Sequence, residues 1–161
     1  MFKNILIIGF GMIGSSIARS VIKKYKNVNI FAFDKSNNLK IRINKSKLNN
    51  VKVLKSLQEI NNLNIDLIII CVPMLQYQSI FKKLSNINLD KTIVTDVGST
   101  KVNIEKLYNQ KKYKFNFIPS HPIAGIEKAG LENGIDGLFT NRYNICLLNT
   151  SPSPRDKCRS R

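Results

Sequence analysis

The sequence predicts an α/β fold built on a doubly wound parallel sheet. Three observations lead to this fold class: short apolar runs recur along the chain, helical segments separate them, and the first run ends in a glycine-rich stretch. Runs that are apolar throughout, rather than alternating, are typical of strands buried on both faces of a parallel sheet. With 161 residues, the chain is long enough to form one domain around its own core.

Strands and helices are predicted in alternation. The expected strands are NILIIG, VNIFAFD, VKVL, NIDLIIICVP, KTIVTDVG and FNFIPSHP, of which the last runs into a loop. The expected helices are MIGSSIARSVIKKY, NNLKIRINKSKL, MLQYQSIFKKLSN and STKVNIEKLYNQ. The first helix has apolar residues at roughly helical spacing, and Ser99 or Thr100 is expected near the N-terminal cap of the last one. In such a sheet, ligands bind at the carboxyl ends of the strands.

The basic composition raises the question of nucleic-acid binding. The formal net charge is +16, and such a charge by itself supports only non-specific electrostatic binding. The lysines are spread along the chain, and no basic stripe interleaved with aromatic residues is found. We therefore interpret the charge as solvated surface that attracts anionic substrates, and we expect no specific nucleic-acid partner.

The three cysteines, Cys71, Cys146 and Cys158, form no recognisable site. Their number is odd and their spacing fits neither a zinc site nor a redox pair, so no metal is expected. Cys71 lies in an apolar run and is expected in the core. This cysteine usage favours the reducing cytoplasm. The longest apolar run is interrupted by Pro73 and is too short to span a membrane.

The stretch GFGMIGSS has the spacing G-x-G-x-x-G directly after a predicted strand and at the start of a predicted helix. In that context the pattern indicates a dinucleotide-binding loop of the Rossmann type. The first glycine permits the tight turn, the second lets the backbone approach a pyrophosphate, and the third allows close packing of helix and strand. The predicted cofactor-binding residues of this loop are Gly9, Phe10, Gly11, Met12, Ile13 and Gly14.

The second predicted strand ends at Asp34, twenty residues after Gly14. A carboxylate there accepts hydrogen bonds from the ribose 2′-hydroxyl and repels a 2′-phosphate, which favours NAD over NADP. The adjacent Lys35 weakens that discrimination. Two alternatives stay open at this point. One is a signal peptide, since Lys3 and an apolar stretch precede small residues, and the other is a glycine turn that binds no ligand.

Three further segments are predicted at the carboxyl edge of the sheet. Val72 and Pro73 end the fourth strand and are expected beside the cofactor. Ser99 follows the fifth strand, where it either caps the next helix or offers its hydroxyl to a ligand. His121, the only histidine, is expected in a loop after the sixth strand, in the segment PSHPIAG. It is either a structural histidine or a catalytic one, since an imidazole suits proton transfer near neutral pH.

Together with the glycine loop and Asp34, the segments DVGSTK, SHPIAGIEKAG and LF-x-NR-Y resemble those of the prephenate and arogenate dehydrogenases of tyrosine biosynthesis. The resemblance extends over about residues 4 to 146. SHPIAGIEKAG is its most specific part, whereas many dehydrogenases share the glycine motif. The resemblance implies a NAD-dependent oxidative decarboxylation of prephenate to 4-hydroxyphenylpyruvate.

The resemblance also implies roles for individual residues. His121, in the HP-x-AG motif, accepts the proton of the substrate's ring hydroxyl, and Ser99 positions that hydroxyl and the histidine. Glu127 lies at the mouth of the substrate site, the alternative being a solvated surface charge. Ile126 stands where the family often has Thr or Ser, and Ala129 stands where it often has Ser. These two differences bear on substrate detail rather than on the chemistry.

Members of that family carry a second, helical domain that dimerises and contributes an arginine for the substrate carboxylate. No segment of this sequence supplies that domain, so we expect residues 1–146 to be the NAD-binding domain of a full-length homodimer. The segment TSPSPRD resembles translated sequencing-adapter read-through, and residues 147–161 are expected to be an irregular, non-native tail. We expect this chain to bind NAD and to turn over prephenate weakly or not at all.

Other functions stay compatible with these residues. An arogenate dehydrogenase, or another NAD-dependent dehydrogenase such as a β-hydroxyacid dehydrogenase, would share the sheet and the loop, although the latter lacks SHPIAG and uses a catalytic lysine. A non-catalytic NAD-sensing module would need the glycine loop and Asp34 but neither Ser99 nor His121. Prephenate and arogenate are not distinguished by this sequence, because the second domain makes most contacts to the part in which they differ.

Overall fold

The computed structural model describes residues 2–111, 113–125 and 128–146, so the expectations for Ile126, Glu127 and the tail 147–161 lie outside the described residues. Within the described ranges the strands are β1 (Asn4–Ile8), β2 (Asn29–Phe33), β3 (Val51–Val53), β4 (Leu67–Ile70), β5 (Ile93–Asp96), β6 (Asn116–Ile118), β7 (Ser120–Pro122) and β8 (Asn144–Cys146). The α-helices are α1 (Met12–Lys24), α2 (Leu39–Lys45), α3 (Tyr77–Leu84) and α4 (Val102–Lys111). Short 3-10 helices cover Leu57–Asn62, Met74–Gln76 and Leu131–Asn133.

Six strands form one parallel sheet in the order β3-β2-β1-β4-β5-β6. This topology confirms the predicted doubly wound α/β fold. The strand order reverses between β1 and β4, and in folds of this type a crevice opens at the carboxyl ends of the two strands that flank such a reversal. Ile8 of β1 lies between Phe33 of β2 and Ile70 of β4 in the register of the sheet. The residues that follow these three strands therefore leave the sheet side by side.

The central strand β1 is buried on both faces, as its uniformly apolar sequence predicts. Leu6 and Ile8 belong to the core cluster that includes α3, whereas Ile5 and Ile7 belong to the cluster on the opposite face with α1 and α2. Burying each such aliphatic side chain contributes about 1.5–3 kcal/mol to folding. The apolar stretch that could be taken for the core of a signal peptide is thus the centre of the folded sheet.

The sixth predicted strand, FNFIPSHP, is divided in the structure. β6 ends at Ile118 because the next residue, Pro119, has no amide hydrogen to continue the ladder. β7 then pairs with β8 in a separate antiparallel sheet, in which His121 lies opposite Ile145. His121 is therefore held in a strand rather than in a loop.

The chain between β7 and β8 crosses the surface of α1. Ser15 Oγ donates a hydrogen bond to the Leu131 carbonyl at 3.0 Å, and the Ile135 amide donates to Ser16 Oγ at 2.9 Å. Both serine side chains are fully buried. The two serines at the end of the glycine stretch thereby anchor the chain that follows the histidine strand.

None of the helices in the described ranges has the length and hydropathy needed to cross a membrane. Over the same residues, no cluster of three or more histidine, cysteine or acidic side chains is arranged to hold a metal ion. Cys71 and Cys146 are free thiols, and Cys71 packs against the core as expected.

Candidate functional site

The glycine loop turns so tightly that it leaves no room for side chains at its two ends. Gly9 has a φ of 90°, and its amide donates to the Phe33 carbonyl at 2.8 Å. A Cβ on Gly9 would lie 2.7 Å from the carbonyl carbon and oxygen of Cys71, and one on Gly14 would lie 2.4 Å from the Gly9 carbonyl oxygen. The first and third glycines of the motif are thus required by the packing of β1, β4 and α1.

The middle glycine is in a different situation. Gly11 has no atom within 4 Å of the position that a Cβ would take. Its carbonyl accepts the first hydrogen bond of α1, from the Ser15 amide at 2.9 Å, so the amides of Met12, Ile13 and Gly14 have no acceptor within the helix. The loop therefore leaves open space next to unpaired amides at a helix N-terminus, which is where a phosphate group binds.

Asp34 closes the other side of this loop. Its Oδ2 accepts a hydrogen bond from the Phe10 amide at 2.8 Å, and its Oδ1 accepts one from the Ser36 amide at 3.0 Å. A carboxylate can accept about four hydrogen bonds, so each oxygen keeps a site for a ribose hydroxyl. The Phe10 side chain is buried, so Phe10 contributes to the site through its backbone amide.

A cavity of about 520 Å³ joins these elements. It is lined by residues that follow β1, β2 and β4, namely Gly9, Gly11, Asp34, Lys35, Val72 and Pro73, and by residues of the segment that leads into and forms α3. The structure thus places five of the predicted cofactor-binding residues in one cavity at the reversal of strand order. Two lysines, Lys35 and Lys83, also line the cavity and make its walls partly positive.

His121 and Ser99 lie farther along the same edge, after β6 and β5. His121 is partly buried, and its Nδ1 lies 3.4 Å from the Val97 carbonyl oxygen. Ser99 is exposed, and no hydrogen bond of its side chain is found in the described part of the chain. The carbonyl of Lys101, rather than a serine or threonine, begins α4 by accepting from the Glu105 amide at 2.9 Å. Ser99 is therefore not the helix cap, and neither Ser99 nor His121 lines the cavity beside the glycine loop.

A buried ion pair next to these residues was not anticipated from the sequence. Asp96 is 0% exposed, and Lys101 Nζ lies 2.6 Å from its Oδ2. The Tyr77 hydroxyl donates to the same carboxylate oxygen at 2.9 Å. Both charged residues occur in the segment DVGSTK, and the signal that could have revealed them is an acidic residue ending an apolar strand, five residues before a lysine.

Burial and the Asp96 carboxylate also oppose the ionisation of two neighbouring groups, the Cys71 thiol and the Tyr77 hydroxyl. Loss of solvent raises the pKa of the Cys71 thiol, and the negative charge of Asp96 raises it further. The same two causes, in the same order, raise the pKa of the Tyr77 hydroxyl. Both groups therefore stay protonated at neutral pH and do not act as proton acceptors there.

The segment LF-x-NR-Y lines a second, mostly apolar cavity of about 380 Å³. Phe139, Arg142 and Tyr143 face Ile69 and Val97 across it, on the α1 side of the sheet. Residues of β7 and β8 also line this cavity, so the motif lies next to the strand that carries His121 rather than beside the glycine loop.

Comparison with known sequences shows which proteins this chain is similar to. A sequence model described as the nucleotide-binding domain of prephenate dehydrogenase matches residues 17–154. The chain is 35% identical over 147 residues to the prephenate dehydrogenase of Lactococcus lactis subsp. cremoris. The aligned region covers 89% of this chain and 40% of that protein. The chain is 32% identical over 139 residues to the cyclohexadienyl dehydrogenase of Zymomonas mobilis, covering 86% and 47% of the two chains.

Comparison with solved structures gives a similar result. The prephenate dehydrogenase of A. aeolicus in complex with hydroxyphenyl propionate and NAD+ superposes with a TM-score of 0.81 at 26% identity, over 98% of this chain and 55% of that one. The arogenate dehydrogenase of Synechocystis shares the fold, with a TM-score of 0.78 at 22% identity over 97% and 54% of the two chains. The chain thus spans between two fifths and slightly over half of the length of these proteins.

Proposed function

The chain belongs to the family of prephenate dehydrogenase nucleotide-binding domains, and from this premise we propose that it binds NAD+ and forms the cofactor-binding part of a prephenate or arogenate dehydrogenase. The observation that carries the proposal is the open space beside Gly11, which lies in one cavity with the Asp34 carboxylate. An anion site and a ribose acceptor at that spacing fit a dinucleotide.

Each part of the cofactor has residues that would hold it. The amides at the start of α1 would bind the pyrophosphate, and Asp34 would accept from the adenosine ribose hydroxyls. Val72 and Pro73 offer an apolar wall after β4. Bound NAD+ would supply the acceptor for the hydride that the substrate loses.

His121 is the proposed base. The Val97 carbonyl can only accept, so its contact with Nδ1 favours the tautomer that has its proton on Nδ1. Nε2 is then free to take the proton of the substrate's ring hydroxyl. The exposed Ser99 hydroxyl, which follows Val97 by two residues, is proposed to orient that hydroxyl beside the histidine. Oxidation with loss of CO₂ makes the ring aromatic, so the protein has mainly to align the substrate and accept one proton.

The proposed substrate, and the residues that would bind it, concern the complete protein as well as this chain. The relatives named above act, by their names, on prephenate, arogenate or cyclohexadienyl compounds. We propose prephenate as the substrate, with arogenate as the alternative, and Glu127 at the mouth of the site. We further propose that the complete protein is a cytoplasmic homodimer whose second domain completes the substrate site. The free thiols of Cys71 and Cys146 are compatible with that compartment.

Calorimetric titration of the purified chain with NAD+ and NADP+ tests the cofactor assignment. We expect NAD+ to bind more tightly than NADP+, and we expect Asp34→Asn to reduce or reverse that preference, because the substitution removes the charge that repels a 2′-phosphate. Asp90→Asn is a matched control, since Asp90 is exposed and does not line this cavity. Equal affinities in the unsubstituted chain would refute the role of Asp34.

The catalytic assignment is tested in the complete protein with prephenate and arogenate as substrates. We expect His121→Asn to lower kcat by about 10²–10⁴-fold, the range that general acid–base groups contribute, while NAD+ affinity is unchanged. An unchanged kcat would remove His121 from the mechanism. A chain that binds NAD+ but whose melting temperature responds to neither prephenate nor hydroxyphenyl propionate in the presence of NAD+ would favour the non-catalytic sensing module.

A further inference from the structure

Every polar group of Ser120, the residue before His121, is bonded within the described structure. Its amide donates to Asp96 Oδ1 at 2.9 Å, and its hydroxyl donates to the Asp96 carbonyl at 2.7 Å. Its own carbonyl accepts from Lys101 Nζ at 2.5 Å, and its hydroxyl accepts from Thr95 at 3.1 Å. The backbone that carries the imidazole is thus attached to the end of β5 at several points, although 24 residues separate Ser120 from Asp96.

The same carboxylate also fixes the other partner of the imidazole. The Gly98 amide donates to Asp96 Oδ2 at 3.0 Å, which bends the chain around Val97, whose carbonyl faces His121 Nδ1. A Cβ on Gly98 would lie 3.0 Å from that Oδ2, so the bend is closely packed. Both sides of the contact between histidine and carbonyl therefore depend on one buried carboxylate.

Lys101 supplies the positive charge that balances the buried Asp96 carboxylate. A buried carboxylate is costly unless a cation and further donors satisfy it. The Lys101 ammonium lies 2.6 Å from each oxygen of Asp96, and its side chain is only 10% exposed. Because it also donates to the Ser120 carbonyl, the ammonium joins the strand that carries the base to the loop that carries Ser99.

We propose that Lys101, acting through Asp96, is a positioning residue that holds the His121 imidazole with Nδ1 toward the Val97 carbonyl and so leaves Nε2 as the proton acceptor. Lys101 reaches no cavity beside the glycine loop, and its ammonium is occupied by protein atoms, so it does not act as a substrate or cofactor ligand here. The consequence drawn for Nε2 rests on the proposed function, whereas the geometry itself does not.

The single histidine of the chain makes a direct test available, because ¹⁵N NMR of its imidazole reports His121 alone. At about pH 8.5, well above the usual range of histidine titration, the nitrogen shifts show which nitrogen carries the proton. We expect the Nδ1–H tautomer in the unsubstituted chain. Lys101→Met should lower the ratio of Nδ1–H to Nε2–H by roughly three- to tenfold, the range that one neutral hydrogen bond supplies.

Two further variants separate positioning from loss of the fold. Lys101→Arg keeps a cation and several donors, so it should retain most of the Nδ1–H tautomer. Lys106→Met, at an exposed position on α4, should leave the ratio unchanged. A folded Lys101→Met chain, judged by its amide spectrum, with the imidazole shifts of the unsubstituted chain would overturn the proposal.

If Lys101→Met does not fold, Tyr77→Phe provides the measurement. It removes the hydroxyl donor to Asp96 and keeps the buried ring, so the ratio should fall in the same direction by a smaller factor. An unchanged ratio in folded Tyr77→Phe would likewise count against the proposal. Titrations with NAD+ and prephenate are run separately, so a failure of the proposed function leaves the tautomer measurement intact, and the reverse also holds.

Discussion

The two ends of the candidate site are constructed in contrasting ways. At β1 and β2 the site consists mainly of backbone: glycines without side chains and free amides at the start of α1, joined by one side chain, the Asp34 carboxylate, which two amides hold. At β5 and β7 it consists of side chains: a buried ion pair, a tyrosine hydroxyl and a serine that ties His121 to its neighbour strand. At the first end, added atoms at Gly9 or Gly14 would clash with backbone, whereas the second end depends on a buried pair of charges.

This difference suits what each end would hold. A pyrophosphate is bound by close approach of the main chain, and only the absence of a Cβ permits that approach. A base must present one nitrogen in a fixed direction, which takes directional bonds from polar side chains. Methyl groups added to the glycine loop and substitutions that break the buried ion pair therefore test the two ends separately.

The largest effect is expected at Gly9. Gly9→Ala would place a Cβ 2.7 Å from the Cys71 backbone, at a φ of 90° that alanine rarely adopts. Since the Cys71 backbone belongs to the segment that leaves the paired strand β4 and cannot yield without moving that strand, we expect a loss of at least about 4 kcal/mol of unfolding free energy, or no stable fold. Urea denaturation measures this, and a loss below about 1 kcal/mol would show that β1 and β4 can move apart.

The next largest effect is expected at Asp96. Asp96→Asn leaves the Lys101 ammonium buried without its counter-ion, and breaking a buried pair in this way costs about 3–5 kcal/mol. The double variant Asp96→Asn with Lys101→Met should recover part of that stability, since no buried charge remains. Urea denaturation of the single and double variants checks both statements. If the double variant were no more stable than Asp96→Asn, the ion pair would not be the reason for the loss.

Gly11→Ala tests the backbone end without disturbing the fold. No atom lies within 4 Å of the added methyl group, so the unfolding free energy should change by less than about 1 kcal/mol. The same methyl group occupies the space proposed for the pyrophosphate, and NAD+ affinity should fall by at least about tenfold, or about 1.4 kcal/mol. Calorimetry on the folded variant measures this, and unaltered NAD+ affinity would place the cofactor elsewhere.

The smallest effect is expected for an exposed ion pair, which gives a baseline for the buried one. The hydrogen bond from Arg42 lowers the pKa of Glu132 from 4.5 to about 2. The folded carboxylate therefore holds its proton less tightly than the unfolded one, so the stabilisation is complete above pH 4.5 and is lost as the pH falls toward 2.

Because the Glu132 side chain is 52% exposed, Glu132→Gln should cost no more than about 1 kcal/mol at pH 7. Urea denaturation at pH 7 and at about pH 2.5 should show the difference between the two chains shrinking with acid. A loss at pH 7 as large as that of Asp96→Asn would contradict the distinction between buried and exposed charge pairs.

The same contrast explains which features were predictable from the sequence. The parallel sheet and the glycine loop were predictable because their constraints are local: apolar runs reveal buried strands, and a tight turn requires glycine at fixed spacing. The division of the sixth strand at Pro119 was missed, since β7 is defined by its partner β8, which lies more than twenty residues away. The contacts of Asp96 were also missed, because its bonds to Ser120 exist only in the folded chain.

The placement of Ser99 and His121 was predictable only to the level of the sheet edge. The sequence indicates which strands they follow, and the structure adds that Ser99 does not cap α4 and that His121 faces Val97. Their assigned roles stay predictions, to be tested by the titrations and kinetics above.

The buried serines of α1 have a consequence for protein engineering. Ser15 and Ser16 hold Leu131 and Ile135, residues well over a hundred positions away in the chain. A cofactor-binding module grafted from an unrelated dehydrogenase would restore the turn and the helix but lose these attachments, unless small hydroxyl residues were kept at both positions. The glycine stretch therefore cannot be exchanged by itself, because its last two residues form hydrogen bonds with a segment near the C-terminal end of the domain.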